Sequence, residues 1–411
     1  MSCKPTIIVY RDELLRVSET FIRAQAESLG RFRPYFVGLR HRAGLSLPEK
    51  RVHIISGPGL VGKFQRARFK LLGPSLTLQR SLARKQPVLI HAHFGPDACN
   101  AMALADALNV PLIVSLHGYD ITRSDDRHSR LYLRRRDRLM NKAARFICVS
   151  NFIREQALAK GFPESKTIVH YTGIDTEFFR PNPLTPRSPV VLFVGRLVQE
   201  KGCAYLIQAM GRVQKFVPEA RLVIIGDGPL REGLRQQAAG AVKNCHFLGA
   251  QSAEIVRDWM NRSTVFCTPS VTEGFGMVFA EAQAMGLPIV GFESGGVPEA
   301  VANGETGFLV TNRDWQELAS KLVLLLKVPE LWARFSRTGQ LRVRRLFDIH
   351  KQAVALEEIY ESVMAAWNRA TVGERLSCLK ELFLGGGDAE SPELDLPSNE
   401  REIDISLASI R

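Results

Sequence analysis

The chain has 411 residues, 45% of them hydrophobic and 24% charged, an ordinary globular composition with apolar mass enough for two cores. Lys and Arg number 55 against 42 Asp and Glu, and the whole excess lies in residues 1–183, which hold 30 basic and 15 acidic side chains where 184–411 hold 25 and 27. Seven scattered Cys with no C-x-x-C pair, and apolar runs such as Leu322–Leu326 that fall far short of the roughly 20 residues needed to span a bilayer, argue against a secreted disulfide scaffold, an integral membrane protein and a disordered chain.

Asp12, Glu13 and Glu19 interrupt the start of the chain, so no cleavable signal peptide is expected and the compartment reads as cytoplasmic. Short β-branched runs follow at Ile7–Val9, Tyr35–Leu39, Val52–Ile55, Val88–His91, Leu112–Leu116 and Phe146–Val149, each ahead of a loop or amphipathic stretch. This is the pattern of a mostly parallel sheet in an α/β protein. Prolines at 181, 183, 186 and 189 then mark a linker. The alternation restarts with Val190–Val194, Arg221–Ile225, Val265–Cys267 and Leu287–Val290, with a helix over Ala204–Phe216. From about Asp314 to Asn368 the chain reads as helices, and 385–411, with Gly-Gly-Gly, two prolines and many acids, reads as a disordered tail. The expected architecture is two doubly wound domains, 1–183 and 184–345, and a helix over 346–368 returning toward the first. Ligands bind outside the carboxyl ends of parallel strands, so the active site should lie in the cleft between the two domains.

Several strand ends carry residues suited to an anionic ligand. Val190–Val194 runs into Gly195-Arg196-Leu197-Val198-Gln199-Glu200-Lys201-Gly202. There Arg offers a planar fork and Lys a point charge for phosphate oxygens, although alone the segment also fits a solvated turn. Gly226-Asp227-Gly228-Pro229 ends the next strand. No P-loop and no G-x-G-x-x-G follows a strand, which argues against a nicotinamide or flavin enzyme. The sharpest feature is Pro269-Ser270-Val271-Thr272-Glu273-Gly274-Phe275-Gly276-Met277-Val278-Phe279-Ala280-Glu281. A strand breaks at Pro269, a glycine-bearing loop opens a helix near Met277, and the helix amides with their positive dipole end form an anion site with Glu273 at its mouth. Glu281, farther along the helix, would reach a hydroxyl pair. Gly295-Gly296-Val297-Pro298-Glu299 repeats the geometry and adds free amides. In the first half His117-Gly118-Tyr119-Asp120 follows a strand, and His117 could bond a substrate hydroxyl or a developing charge. His91 and His93 share a strand face, but no Cys or carboxylate cluster accompanies them and no Asp-x-Asp ends a strand, so no metal is expected.

These residues resemble the retaining glycosyltransferases of family 4, with the two-domain GT-B fold, over roughly residues 5–365. The most specific match is the pair Glu273 and Glu281 within Pro-Ser-x-x-Glu-Gly-Phe-Gly. Supporting it are Gly195-Arg196 with Lys201-Gly202, Gly226-Asp227-Gly228-Pro229, Phe247-Leu248-Gly249, Gly295-Gly296-Val297-Pro298-Glu299, Gly307-Phe308-Leu309-Val310 and Gly173-Ile174-Asp175. Ser18-Glu19-Thr20-Phe21-Ile22, His91-Ala92-His93-Phe94-Gly95 and His117-Gly118-Tyr119-Asp120 are similar to the exopolysaccharide branch typified by colanic acid transferases. The glycine pair of the family's first loop is absent from Tyr10 to Ser18, and no donor contact is carried to that loop.

The resemblance implies a nucleotide-sugar donor, UDP- or GDP-linked, as substrate, and no cofactor. Arg196 and Lys201 would neutralise the leaving diphosphate without a metal, Glu281 would accept the ribose hydroxyls, and Glu273 the hydroxyls of the transferred sugar. Gly195, Gly274, Phe275, Gly276 and Met277 would wrap the phosphates. His117 would sit beside the reacting sugar, with Asp120 and His93 on the acceptor side. The acceptor implied is a glycan or lipid-linked oligosaccharide in surface polysaccharide synthesis. Competing readings are a sugar-nucleotide epimerase of the same architecture and a nucleic-acid-binding protein; no nucleic-acid motif is present. Arg123–Arg145 holds nine Lys or Arg against three Asp, with Leu131, Leu139 and Met140 interleaved, and Lys63, Arg66, Arg68 and Lys70 form a second basic group. An anionic surface at the inner face of the cytoplasmic membrane, held peripherally by the basic first domain, is the partner expected from that pattern.

Overall fold

The computed structural model describes residues 4–16, 19–41, 44–125 and 128–384, with side chains to residue 370. Ser18, Arg127 and the tail 385–411 lie outside them. Residues to Ala365 form one compact unit and those from Ala366 a second, whose described residues are helical.

Within the first unit lie two sheets in which every strand pair is parallel. The first comprises β1 (Thr6–Leu14), β2 (Arg33–His41), β3 (Val52–Ile54), β4 (Pro87–His93), β5 (Leu112–Leu116), β6 (Arg145–Cys148) and β7 (Thr167–Val169), in the order β3-β2-β1-β4-β5-β6-β7. The second comprises β8 (Val190–Val194), β9 (Arg221–Ile225), β10 (Cys245–Gly249), β11 (Val265–Cys267), β12 (Ile289–Phe292) and β13 (Gly307–Val310), ordered β10-β9-β8-β11-β12-β13. Strand order therefore reverses between β1 and β4 and again between β8 and β11, the two places where a doubly wound sheet opens a crevice. The helices α1 (Thr20–Glu27), α2 (Gly59–Leu72), α3 (Leu76–Ala83), α4 (Gly95–Leu108), α5 (Tyr119–Thr122), α6 (Arg130–Lys142) and α7 (Asn151–Ala159) accompany the first sheet. With the second go α8 (Cys203–Phe216), α9 (Arg231–Ala241), α10 (Ala253–Arg262), α11 (Met277–Ala284), α12 (Val297–Ala300), α13 (Trp315–Lys327) and α14 (Pro329–Leu346), and α15 (Ile349–Leu384) follows them in the chain.

Central strands such as β5 are buried along their whole length, which is why they read as unbroken apolar runs. The strands absent from the sequence reading, β7, β10 and β13, all lie at sheet edges. An edge strand has a neighbour on one side only, and β10 is mostly half-exposed, so its hydrophobic signal is broken. Leu356, Tyr360 and Val363 of α15 pack with Ile7, Phe36 and Ile113 beneath the first sheet, and Glu357 accepts from the backbone N–H and Nε of Arg31 at 2.5 and 3.0 Å. The chain thus crosses back after the second sheet.

Direct contacts hold the two sheets' carboxyl ends together. Ser150, the N-cap of α7, accepts from Ile153 N–H at 3.1 Å and donates its hydroxyl to the Gly274 carbonyl at 2.6 Å. Glu299 of α12 accepts from the backbone N–H groups of Asn151 and Phe152 at 2.8 and 2.9 Å, from Asn151 Nδ2 at 2.9 Å and from the Tyr171 hydroxyl at 2.9 Å. A carboxylate from the second domain therefore sits on the positive end of a helix in the first.

The basic helix α6 only partly presents the amphipathic surface expected from Arg123–Arg145. Leu139 and Tyr132 are buried while Leu131 is 54% exposed, so its apolar residues are divided between core and surface. Arg136 pairs with Asp125, Arg138 and Lys142 with Asp106, and Arg135 donates to Asn100 and to the Lys70 carbonyl. The exposed apolar face belongs to α2 and the start of α3. Leu60, Phe64 and Leu71 are 80, 71 and 81% exposed, and Val61, Leu72 and Leu76 are exposed beside them. Leu60, Phe64 and Leu71 share one helix face by their spacing. No helix among the described residues is long and apolar enough to cross a membrane.

Glu299→Ala leaves several donors without their charged acceptor and is expected to cost about 1–3 kcal/mol. Glu299→Gln, which keeps an acceptor oxygen, should lose less. Urea denaturation followed by tryptophan fluorescence measures both, and unchanged stability in the alanine variant would remove the clamp.

Candidate active site

The reversal between β8 and β11 places two loops side by side. At the end of β8, Gly195 N–H bonds the Ile225 carbonyl at 3.0 Å, and the chain turns through Gln199–Lys201 to Gly202. Gly202 has φ +66°, and a Cβ there would collide with the Pro269 carbonyl oxygen; glycine alone permits this approach. Val271 N–H bonds the Glu200 carbonyl at 2.8 Å, joining the turn to the loop after β11. Lys201 Nζ pairs with the Glu273 carboxylate, which also accepts from the Ser270 hydroxyl at 3.3 Å. Gly276, at φ +85°, begins α11 with no side-chain cap, leaving the helix's positive end to whatever lies in front of it.

In front of it is a cavity of about 370 Å³. From the second domain it is lined by Gly195, Lys201, Glu273, Phe275, Gly276, Met277, Val278 and Glu281, and from the first by Thr20, Phe21, Phe94 and His117. Glu281 has no hydrogen-bond or ion-pair partner among the described residues, and burial pushes its carboxyl up to about 7. A carboxylate held against its own desolvation, aimed into a cavity with nothing to receive, is a binding group.

His117 ends a line of three histidines. His91 bonds the Tyr360 hydroxyl through Nδ1 at 2.7 Å and the Ser115 hydroxyl through Nε2 at 2.8 Å. Its ring lies 4.4 Å from that of His93, whose Nδ1 is 3.0 Å from His117 Nε2. Phe21 and Phe94 pack on His117 at 5.0 and 4.6 Å. Burial pushes all three imidazoles down, His91 to about 3, and neighbouring histidines add to the effect at each, with Arg11 also acting on His93 and His117. All three are therefore neutral near pH 7, and His117 meets the cavity as a hydrogen-bonding imidazole, not a cation. Phe94 adopts φ +70°, a conformation costly for an aromatic residue, where it caps α4 and lines the cavity.

Of the residues expected at the site, Gly195, Lys201, Glu273, Phe275, Gly276, Met277, Glu281 and His117 line one cavity. Others lie elsewhere. Arg196 is exposed on the β8 turn and is not among the lining residues. Gly274 is spent on the domain contact, where a Cβ would collide with the His117 carbonyl oxygen. Asp120 is buried, accepting from the backbone N–H groups of Gly95, His117 and Gly118 at 3.1, 3.2 and 2.9 Å; it shapes the loop and does not line the cavity. His93 supports His117 from behind. Glu299 serves the clamp in place of an amide loop. Sequence reading missed Arg11, whose guanidinium is buried against Glu19 and Asp97 and lies 4.3 Å over the Phe94 ring. Its signal was a charged triplet, Arg11-Asp12-Glu13, at the carboxyl end of an apolar strand.

Two family models match the chain, "Glycosyltransferase Family 4" over residues 18–178 and "Glycosyl transferases group 1" over residues 175–342. The GDP-mannose-dependent alpha-(1-6)-phosphatidylinositol monomannoside mannosyltransferase of Mycolicibacterium smegmatis is 32% identical over 56% of this chain and 64% of that enzyme. The sulfoquinovosyl transferase SQD2 of Arabidopsis thaliana is 30% identical over 60% of this chain and 51% of its own. The chain thus spans less than two thirds of either relative. Among solved structures, Anabaena HepE in complex with UDP and glucose superposes with a TM-score of 0.72 at 22% identity, over 87% of this chain and all of that one. Sucrose-phosphate synthase from Thermosynechococcus elongatus gives 0.73 at 21%, over 88% of this chain and 100% of that one. These likenesses establish the GT-B fold.

The depressed histidines set a pH dependence of stability. Each protonates more readily in the unfolded chain, so stability is fully present above the ordinary value near 6.5 and is lost as pH falls toward about 3. The urea midpoint should drop between pH 7 and pH 5, and His91→Gln should flatten that drop. A midpoint that rose with acidity would contradict the buried neutral stack.

Proposed function

With one glycosyltransferase family model matching each half of the chain, we propose that it is a family 4 glycosyltransferase that moves a sugar with retention of configuration from a UDP- or GDP-linked donor to a glycan or lipid-linked oligosaccharide in surface or exopolysaccharide synthesis. The observation that carries this reading is Glu281, without a partner among the described residues, one turn into a helix whose uncapped start faces the same cavity as Lys201 and Glu273. That spacing suits a ribose at one end, a diphosphate over the helix start, and a sugar at Glu273. The mannosyltransferase named for GDP-mannose and the HepE complex with UDP support one donor class each.

In the proposed reaction the bond from the anomeric carbon to the diphosphate oxygen breaks and a bond to the acceptor oxygen forms on the same face. The departing phosphate oxygen takes the acceptor proton. Lys201 and the helix start stabilise the charge that builds on the diphosphate, and Arg196 reaches it from the exposed turn, so the chemistry runs without a metal. Neutral His117 bonds the sugar beside the reacting carbon.

We place the work at the inner face of the cytoplasmic membrane, with the exposed apolar face of α2 as the contact. Lys63 and Arg68, also exposed on α2, flank that face, the arrangement of a helix that lies in an anionic lipid interface.

Glu281→Ala should weaken UDP or GDP binding by about 1–3 kcal/mol in calorimetry, the loss of an acceptor for two hydroxyls. Because the carboxyl titrates at about 7 and the charged form is the better acceptor, wild-type affinity should rise from pH 6 to pH 8, and that of Glu281→Gln should stay flat. Lys201→Ala should lower turnover about 100-fold or more while EDTA leaves the wild type active. Unchanged nucleotide binding in Glu281→Ala, or strict dependence on a divalent cation, would overturn these roles.

Cosedimentation with liposomes tests the location. Binding should require phosphatidylglycerol or cardiolipin, fall as salt rises, and be lost in Leu60→Ser/Phe64→Ser/Leu71→Ser. Equal binding by that triple variant would move the contact elsewhere.

A further inference from the structure

His93 is buried and does not line the cavity, yet its ring is joined to the one histidine that does. His93 Nδ1 lies 3.0 Å from His117 Nε2, with ring centroids 5.2 Å apart and planes 21° apart. So short a nitrogen contact between rings whose centres are that far apart places them end to end and nearly coplanar, and the contact is an in-plane hydrogen bond. His91 meets His93 in another way, with centroids 4.4 Å apart and planes 30° apart. Both nitrogens of His91 are bonded, to the Tyr360 and Ser115 hydroxyls, so it forms a fixed plate against which the His93 ring rests. Tyr360 belongs to α15, and the helix that returns beneath the first sheet thereby holds the far end of the row.

His117 itself is held at its backbone, its ring and one nitrogen. Its N–H donates to Asp120 at 3.2 Å, and Phe21 and Phe94 pack against the ring at 5.0 and 4.6 Å. Phe94 is backed at 4.9 Å by Tyr119, which lines a separate crevice of the first sheet with Arg11, Asp12 and Lys70. Nε2 is taken by His93. Nδ1 has no hydrogen-bond partner among the described residues, and His117 lines the cavity with Lys201 and Glu273.

A neutral imidazole has one N–H and one lone pair. Burial, with neighbouring histidines and Arg11 adding to it, holds both rings below the ordinary histidine range, so both are neutral near pH 7. Their in-plane bond uses one proton and one lone pair, and His117 Nδ1 keeps what is left. With the shared proton on His117 Nε2, Nδ1 is an acceptor; with that proton on His93 Nδ1, His117 Nδ1 is a donor. A lone pair suits the cavity better, since a sugar hydroxyl has a proton to give and positive character develops on the sugar ring as the diphosphate departs.

We infer that His93 is a positioning residue that fixes His117 in the Nε2-protonated tautomer, so that His117 Nδ1 accepts a hydrogen bond from a hydroxyl of the transferred sugar. The inference rests on the proposed transferase reading and assigns control of what His117 offers to a residue behind the cavity wall. His93 accepts at Nδ1 and carries its own proton on Nε2.

NMR of full-length protein labelled with ¹⁵N at histidine reads the tautomer directly, with His117→Gln identifying the signal. Wild type should show His117 protonated at Nε2 alone, and His93→Leu, which removes the partner, a mixture of both tautomers. His93→Asn places an amide oxygen where Nδ1 stood and should restore the single form; His93→Gln, whose amide extends past that point, should not. Release of UDP from UDP-glucose or of GDP from GDP-mannose, whichever is consumed, gives the second readout. His93→Leu and His93→Gln should lower kcat at least about tenfold with KM within about twofold, and His93→Asn should stay within about threefold of wild type. Wild-type His117 protonated at Nδ1, or the same kcat in the Asn and Leu variants, overturns the inference. So does an equal loss in all three variants accompanied by lower thermal melting, which marks packing alone. If neither nucleotide sugar is consumed, that failure belongs to the transferase reading, and the tautomers in wild type and the variants still decide the role of His93.

Discussion

At Gly274 the loop after β11 lies directly on the carbonyl of His117, close enough that even a methyl group would collide, and Ser150 closes the contact with a hydrogen bond of 2.6 Å. The cavity lined by His117, Lys201 and Glu273 exists because of this approach. Its floor comes from one sheet and its roof from the other, so any loosening at Gly274 would separate His117 from Glu273 and Lys201. Glu299 reinforces the contact from a neighbouring loop by seating a carboxylate on the amides of α7. The return of residues 349–365 beneath the first sheet adds an apolar anchor. A hinge between two sheets is thus held by a small polar set at the cleft and a larger hydrophobic one behind it.

Within the cavity the charge arrangement is uneven. Lys201 and Glu273 neutralise one another, whereas Glu281 has no partner among the described residues and bears its desolvation alone. Such a group weakens the folded protein and is tolerated where a ligand supplies the missing donors. The histidine line follows a similar logic. Three imidazoles packed in series are stable only if uncharged, and their hydrogen bonds to Tyr360 and Ser115 fix the far end so that His117 presents a defined edge. The strained backbone at Phe94 belongs to the same assembly, since that ring touches His117, carries Arg11 above it and separates the two crevices.

Both sheets open a crevice at the point where strand order reverses, and the Phe94–Tyr119 wall lies between the two. Basic residues in the first domain divide accordingly: those of α6 are mostly absorbed by Asp106, Asp125 and Asn100, and those of α2 face the crevice and the solvent.

The amino-acid sequence by itself determined the two parallel sheets, through apolar runs long enough to be buried on both faces. It also determined the loop that opens α11, because Gly276, the start of α11 and the spacing from Glu273 to Glu281 are local features of one strand–loop–helix unit. The edge strands β7 and β10 were not legible, since partial exposure breaks the hydrophobic pattern; β13, mostly buried, carries no such break. Nor were the roles of Arg11, Ser150, Gly274 and Glu299, whose partners lie as far as 157 residues away, the separation of Gly274 from His117, and depend on how two sheets face one another. Asp120 and Leu139 show the reverse case: composition and position pointed them outward, and only tertiary packing, which buries a carboxylate where three backbone amides can satisfy it and turns Leu139 into the core, decided that they face inward.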